Sequence, residues 1–227
     1  MWRRRLILLK NPSPPTFLKS DFDEQIKLDI PRTFASEKWF EPHRDTLTNI
    51  LNTFAATNEA FGYPQGVNYI AFVLYYVFYE DNKTTAAAMT LNGLQVVLAH
   101  ILPLFPLNKD DASPVAYIKT LSHYVCLQAV RKEPQMSVLF SSEEYLLFVN
   151  SLICNMLPTL FSNVFSLQDT LLLWDTLFED HCILKKALDI MVSLLLFQKN
   201  IFIHMPLDRA MQMFHILISQ SLAATIS

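Results

Sequence analysis

Three glycines serve a chain of 227 residues, and its long apolar stretches carry helical rather than strand spacing. That pairing points to an all-α fold. The clearest case is 45–60, where Leu47, Ile50, Leu51, Phe54 and Ala55 fall at i, i+3, i+4, i+7 and i+8 and make one apolar stripe. Residues 67–79, "VNYIAFVLYYVFY", are apolar all round, which predicts a central, buried helix. A third helix over 84–102 is stopped by Pro103 and Pro106. Ser113 is expected to cap the next helix, with Pro114 at its first position. "SSEE" reads as a capping box from Ser141 to Glu144, and Ser166 as the cap of "SLQDTLLLWDTLF". Helices over 183–198 and from Pro206 to Leu222 complete the set, and at ~11–12 residues per helix the chain has room for on the order of ten. "FIHM", 202–205, is the one candidate for a brief strand. The expected organisation is a short N-terminal arm over 1–19, a multi-helical domain over 20–222 made of two helical subdomains sharing a core, and a tail over 223–227.

Composition narrows the function. Half the chain is hydrophobic (52%) and 17% is charged, which excludes a disordered chain. The net charge of −3 and a pI near 6.0 lack the basic footprint of a nucleic-acid binder. The run Arg3–Arg5 reads as a solvated end. The three cysteines, Cys126, Cys154 and Cys182, form no C-x-x-C pair, and no two histidines stand at i, i+4. Neither a zinc site nor a disulfide framework is expected, and the thiols suit a reducing, cytoplasmic setting. The mean hydropathy of +0.24 makes a membrane span worth testing. The apolar runs 67–79 and 190–197 both fall short of the ~18–20 residues that a spanning helix needs. "LILL" is too short for the apolar region of a signal peptide. No transmembrane segment is expected.

Two stretches stand out. In "LDIPRTF", 28–34, Pro31 fixes its own φ and biases Ile30 away from the helical region, so that a rigid turn presents Arg32. Asp29 is placed to accept hydrogen bonds there. A planar guanidinium on such a turn suits phosphate oxygens. In "GYPQGVNYI", 62–70, Gly62 and Gly66 bracket a turn stiffened by Pro64. Glycine there permits positive φ and close backbone approach. Asn68 can bond back to the loop, and Gln65 is held where it could position a water. Taken singly, each stretch also fits an ordinary solvated turn between helices.

Taken together, the two stretches resemble a known family. "IKLDIPRT" resembles the I-x-x-D-x-x-R-T motif of the TBC domain, the GTPase-activating module that acts on Rab-type small GTPases. "LTNILNTFAATNEAFGYPQGVNYIA" resembles its second motif, a helix leading into G-Y-x-Q-G-x-N. "LPTLFSNVFSLQDTLLLWDTLFED" is similar to the third block, which ends in W-D-x-x-F. The resemblance runs from about Ser20 to Leu222. It implies an all-helical fold and a two-finger mechanism, with Arg32 entering the GTPase site and Gln65 standing in for the GTPase's own glutamine. Asp29 would orient the arginine loop, and Tyr63, Gly66 and Asn68 the glutamine loop. Trp174 and Asp175 read as structural, the aspartate capping or pairing with a helix end. The family pattern is departed from at Pro64, which lacks an N–H, and at Glu179–Asp180–His181, where glycine commonly follows the third block.

The implied partner is a Rab-family GTPase in its GTP-bound state. GTP and Mg belong to that partner, since the chain has no GxxxxGK[ST] loop and no cofactor of its own is expected. The implied role is regulation of vesicle trafficking, in the cytoplasm or on membranes reached through the Rab. The alternative is a non-catalytic TBC-like scaffold that binds a GTPase or another partner. A helical enzyme with its own pocket is the weakest reading, because His43, His100 and His123 are isolated in sequence and no catalytic constellation stands out.

Overall fold

Helix formation in the domain begins at Asp23. The computed structural model describes residues 2, 6, 12–58, 61–106, 110–179 and 182–220, and among them no strand occurs. Helix α1 (Asp23–Asp29) opens with Asp23 and Glu24, which complement the positive end of the helix, and buries Ile26. A 3-10 turn, Ile30–Arg32, follows directly. Here the expectation for Ile30 fails: it is helical, with φ −52° and ψ −50°. The missing N–H of Pro31 falls at the start of a new turn, where it has no internal acceptor to lose.

A second 3-10 stretch, Lys38–His43, leads into α2 (Arg44–Thr57), which buries Leu47, Ile50, Leu51, Phe54 and Ala55 as the stripe predicts. Asn52 and Thr53 are buried as well and strap the preceding chain to the helix. Asn52 Oδ1 accepts from Ser20 Oγ at 2.8 Å, and Thr53 Oγ1 accepts from the Leu18 N–H at 3.0 Å.

Helices α3 (Val67–Asp81) and α4 (Ala86–Ile101) are the central pair and share the most extensive contact in the fold. With its 3-10 extension, α4 covers Ala86–Leu104. These 19 residues, with a mean hydropathy of 1.5, are long and apolar enough to cross a membrane by length and composition alone. Sequence reasoning tested 67–79 and 190–197 and passed over this stretch. Half of it is buried inside the protein, as in the core helix of a helical domain.

The remaining helices are α5 (Ser113–Lys132), α6 (Ser137–Phe140), α7 (Glu143–Met156), α8 (Leu167–Leu177), α9 (Ile183–Phe197), α10 (Lys199–His204) and α11 (Leu207–Gln220). Helix α5 packs on α7 and α9, α9 reaches α4, and α8 reaches α3. One hydrophobic core therefore runs through the N-terminal and C-terminal helices by way of the α3–α4 pair.

Three of the local expectations change. Ser113 is the first helical residue and not a cap; its N–H donates to the Asp111 carboxylate at 2.9 Å. Ser141 forms no capping box, since its hydroxyl donates to the Val138 carbonyl and α7 begins after Ser142. Residues 202–204 are helical, the end of a short helix that buries the Phe202 ring against Phe148 and Phe214. Ser166 does cap α8, accepting the Asp169 N–H at 3.1 Å. Leu222 lies outside the described residues, as do Arg3–Arg5.

The arm contributes to the core. Trp2 is 5% exposed; its ring lies 5.6 Å from Trp174 and 5.1 Å from Phe178, and its indole N–H donates to Asp175 Oδ1 at 2.7 Å. Asp175 thus holds an indole from the other end of the chain. Trp174 fills core volume as expected and donates its own N–H to the Leu160 carbonyl at 2.8 Å.

Candidate functional site

The arginine turn is assembled from side chains of four segments. Thr33 ends the Ile30–Arg32 turn, and its N–H and hydroxyl both donate to the Asp29 carbonyl, at 3.1 and 2.8 Å. Phe34 then takes φ +45°, an unusual value for an aromatic residue. Its ring is held between Phe40 at 5.8 Å, Tyr69 at 5.5 Å and Phe72 at 6.4 Å, so packing of α3 against the second 3-10 stretch sustains that conformation. From the start of α2, Arg44 Nη1 donates to the Ile30 carbonyl at 2.5 Å. Arg32 itself is exposed and, among the described residues, engaged in no hydrogen bond or ion pair.

The glutamine loop needs both of its glycines. Gly62 has φ +63° and Gly66 φ +94°. A Cβ on Gly62 would meet the Phe22 ring at 2.7 Å, and one on Gly66 would meet Thr159 Cγ2 at 2.6 Å. Gly66 caps α3 in the left-handed region, so that Gln65 stands exposed just ahead of the helix. Pro64 offers no N–H, but its carbonyl accepts the Val67 N–H at 3.2 Å and closes the turn.

Two side-chain bonds tie the loops to one another. The Tyr63 hydroxyl donates to Asp29 Oδ2 at 3.1 Å. Burial, and next the Asp29 carboxylate, push the Tyr63 phenol well above its ordinary range, which keeps the donating proton in place. Asn68, 5% exposed, donates from Nδ2 to Thr33 Oγ1 at 2.6 Å. Asn68 thus reaches across to the arginine turn, where sequence reasoning had it bonding back to its own loop. The chain Asn68–Thr33–Asp29 carbonyl is continuous, so the backbone that ends in Arg32 and the backbone that follows Gln65 are joined by hydrogen bonds, of which Asn68–Thr33 is buried.

A groove of about 600 Å³ opens beside the glutamine loop, with Asp29, Gln65, Phe61, Phe105, Asn155 and Asn163 among its lining residues. Its far wall is built by a turn in which Leu160 and Phe161 take φ +49° and +69°. The Trp174 indole on the Leu160 carbonyl holds that turn, and Thr159 projects from it against Gly66. Among the described residues there is no group of three His, Cys, Asp or Glu able to hold a metal ion.

Of the residues singled out in the two motifs, Asp29, Tyr63, Gln65, Gly66 and Asn68 line this groove, and Arg32 ends the turn that follows Asp29. Thr33, Arg44 and Thr159 were missed. Thr33 lay inside the quoted motif. Arg44 carried one signal: it is the first residue of a 14-residue helix, where a positive charge opposes the helix dipole. Thr159 carried no signal, because its role depends on the approach of a distant turn.

The architecture and the site together define an all-helical domain that presents an exposed arginine and an exposed glutamine from two cross-braced turns. The family model of the Rab-GTPase-TBC domain matches residues 16–204. The chain belongs to that family. No individual curated protein was matched.

Proposed function

We propose that this chain is a GTPase-activating protein for a Rab-type small GTPase in its GTP-bound state, supplying Arg32 and Gln65 in trans. Arg32 stabilises the negative charge that spreads over the phosphoryl oxygens in the transition state. Such a residue is worth ~10³–10⁵ in rate, or ~4–7 kcal/mol. Gln65 orients the attacking water. The nucleotide and Mg belong to the GTPase, and the chain completes that protein's site without binding nucleotide itself. The activity places it in the cytoplasm or on membranes that carry its Rab, as a regulator of vesicle trafficking.

The observation that carries the reading is the contrast between the two side chains and their supports. Arg32 and Gln65 are exposed and uncommitted within the described residues, while Asp29, Thr33, Tyr63 and Asn68 around them are locked by bonds of 2.6 to 3.1 Å. Positioning and electrostatics make up most of the catalysis in phosphoryl transfer, and a pre-set scaffold with free tips meets both needs.

The test is single-turnover GTP hydrolysis across a panel of Rabs, with wild-type protein and with Arg32→Ala. Wild-type protein should accelerate hydrolysis on at least one Rab, and Arg32→Ala should lose ~10²-fold or more while keeping its fold. Arg32→Lys should be nearly as damaging, since an ammonium lacks the fork geometry. Capture of a Rab without acceleration, equal for GDP and for GDP with aluminium fluoride, would favour a non-catalytic scaffold.

A further inference from the structure

We propose that Arg44 is a positioning residue for Arg32. Its guanidinium holds the Ile30 carbonyl and so fixes the direction in which the Ile30–Arg32 turn presents its last side chain. The inference rests on the reading of Arg32 as the group delivered to the GTPase.

Three observations support it. First, the Ile30 carbonyl is poorly served by the backbone. The Thr33 N–H reaches it at 3.4 Å and is shared with the Asp29 carbonyl at 3.1 Å, and Phe34, at φ +45°, has left the helical path. Arg44 Nη1 at 2.5 Å is the close donor, and a charged donor makes the stronger bond. Second, Arg44 stands in the first turn of α2, where its charge opposes the helix dipole. No carboxylate pairs with it among the described residues. Turning back onto a carbonyl gives that charge a partner. Third, the other ties act on Asp29 and Thr33, on either side of Ile30–Arg32. Arg44 alone among them holds the turn itself, two residues from Arg32. Misplacing a catalytic group by ~1 Å can cost ~10²-fold in rate, so a brace at this point sets how well the finger works rather than how tightly the partner binds.

The experiment uses the full chain with Arg44→Met, which removes the donor, and Arg44→Lys, which keeps a charged donor without the fork. Amide hydrogen exchange over 28–36 is read first and requires no GTPase. Arg44→Met should speed exchange in that segment by ~10-fold or more while leaving α3 protected, since opening would be local. Single-turnover hydrolysis on the best-stimulated Rab should then show the maximal rate falling ~10–100-fold, with half-saturation within about twofold. Arg44→Lys should recover part of both. Unchanged exchange in Arg44→Met would overturn the proposal, as would an unchanged maximal rate. A rise in half-saturation at constant maximal rate would make Arg44 a direct contact of the GTPase instead. If Arg44→Met unfolds, Arg44→Gln decides, since its shorter neutral amide cannot reach the Ile30 carbonyl as Nη1 does: exchange over 28–36 and maximal rate both equal to wild type would overturn the proposal. A wild-type protein that stimulates no Rab would remove the reading of Arg32, while the exchange arm would still decide whether Arg44 holds the turn.

Discussion

Gly66→Ala is the sharpest probe of how the glutamine loop is built, and it needs no partner protein. Two penalties add at that position. The backbone sits at φ +94°, a region that costs an L-residue about 1–2 kcal/mol. The new Cβ would also lie 2.6 Å from Thr159 Cγ2, 0.8 Å inside the 3.4 Å at which ordinary contact begins. Thr159 cannot swing away freely, because it is 5% exposed and its hydroxyl is bonded to the Met156 carbonyl at 3.1 Å and to Asn163 Oδ1 at 2.7 Å. Overpacking of this kind costs roughly 1–3 kcal/mol. The expected sum is about 3 kcal/mol, which for a domain of this size lowers Tm by roughly 6–12 °C. The assay is urea denaturation of wild type, Gly66→Ala, Thr159→Ser and the double variant. Thr159→Ser deletes the clashing methyl and keeps the hydroxyl bonds, at a cost of about 1 kcal/mol by itself. In the double variant the steric penalty disappears and the backbone penalty stays, so the cycle should show a favourable coupling of about 1–2 kcal/mol. Additivity within ~0.5 kcal/mol would refute the claim that Thr159 confines the loop.

Other outcomes follow from the same geometry. If Gln65 orients the water, a Rab whose switch glutamine is changed to leucine should still be stimulated, and Gln65→Ala should lose most stimulation on wild-type Rab; hydrolysis for all four pairings checks this. Burial, and next the charge of Lys83, lower the His43 pKa from 6.5. The unfolded chain therefore takes up the proton first, and stability should fall as pH drops from about 6.5 toward the folded value and then level off. His43→Gln should flatten that slope in denaturation curves recorded between pH 7.5 and 5. Trp2→Phe should cost about 1 kcal/mol through the lost bond to Asp175, and Trp2→Ala roughly 3 kcal/mol through the emptied contact with Trp174 and Phe178; thermal unfolding followed by circular dichroism checks both.

What the sequence could carry depended on distance along the chain. The stripe Leu47, Ile50, Leu51, Phe54, Ala55 is buried because a helix has one period and one face to hide. Gly62 and Gly66 were legible because positive φ leaves a compositional mark in a chain with so few glycines. Caps were harder: Ser166 bonds its own third residue on, while beside Ser113 an aspartate two residues upstream took the part, a choice set by the direction from which the loop arrives. Contacts across the fold left no local trace. Nothing near Trp2 announces Asp175, 173 residues away, and nothing near Asn68 announces Thr33 as its acceptor. The sequence marks out the two turns, and the pairing of the side chains that tie them, Tyr63 with Asp29 and Asn68 with Thr33, came only from the folded chain.

The double tie between the two turns also bears on how this site tolerates change. Tyr63–Asp29 and Asn68–Thr33 brace the same pair of backbones through separate bonds. A chain that loses one brace keeps the other, so a single substitution at any of the four positions is partly buffered. Loss of both leaves the turns joined through the packing of Phe34 on Tyr69 and Phe72, which fixes neither loop's hydrogen bonds. Substitutions across the two pairs should thus be epistatic, each mild in one background and severe in the other. Drift at these positions is therefore constrained by history, because which brace can be given up depends on whether the other has already gone.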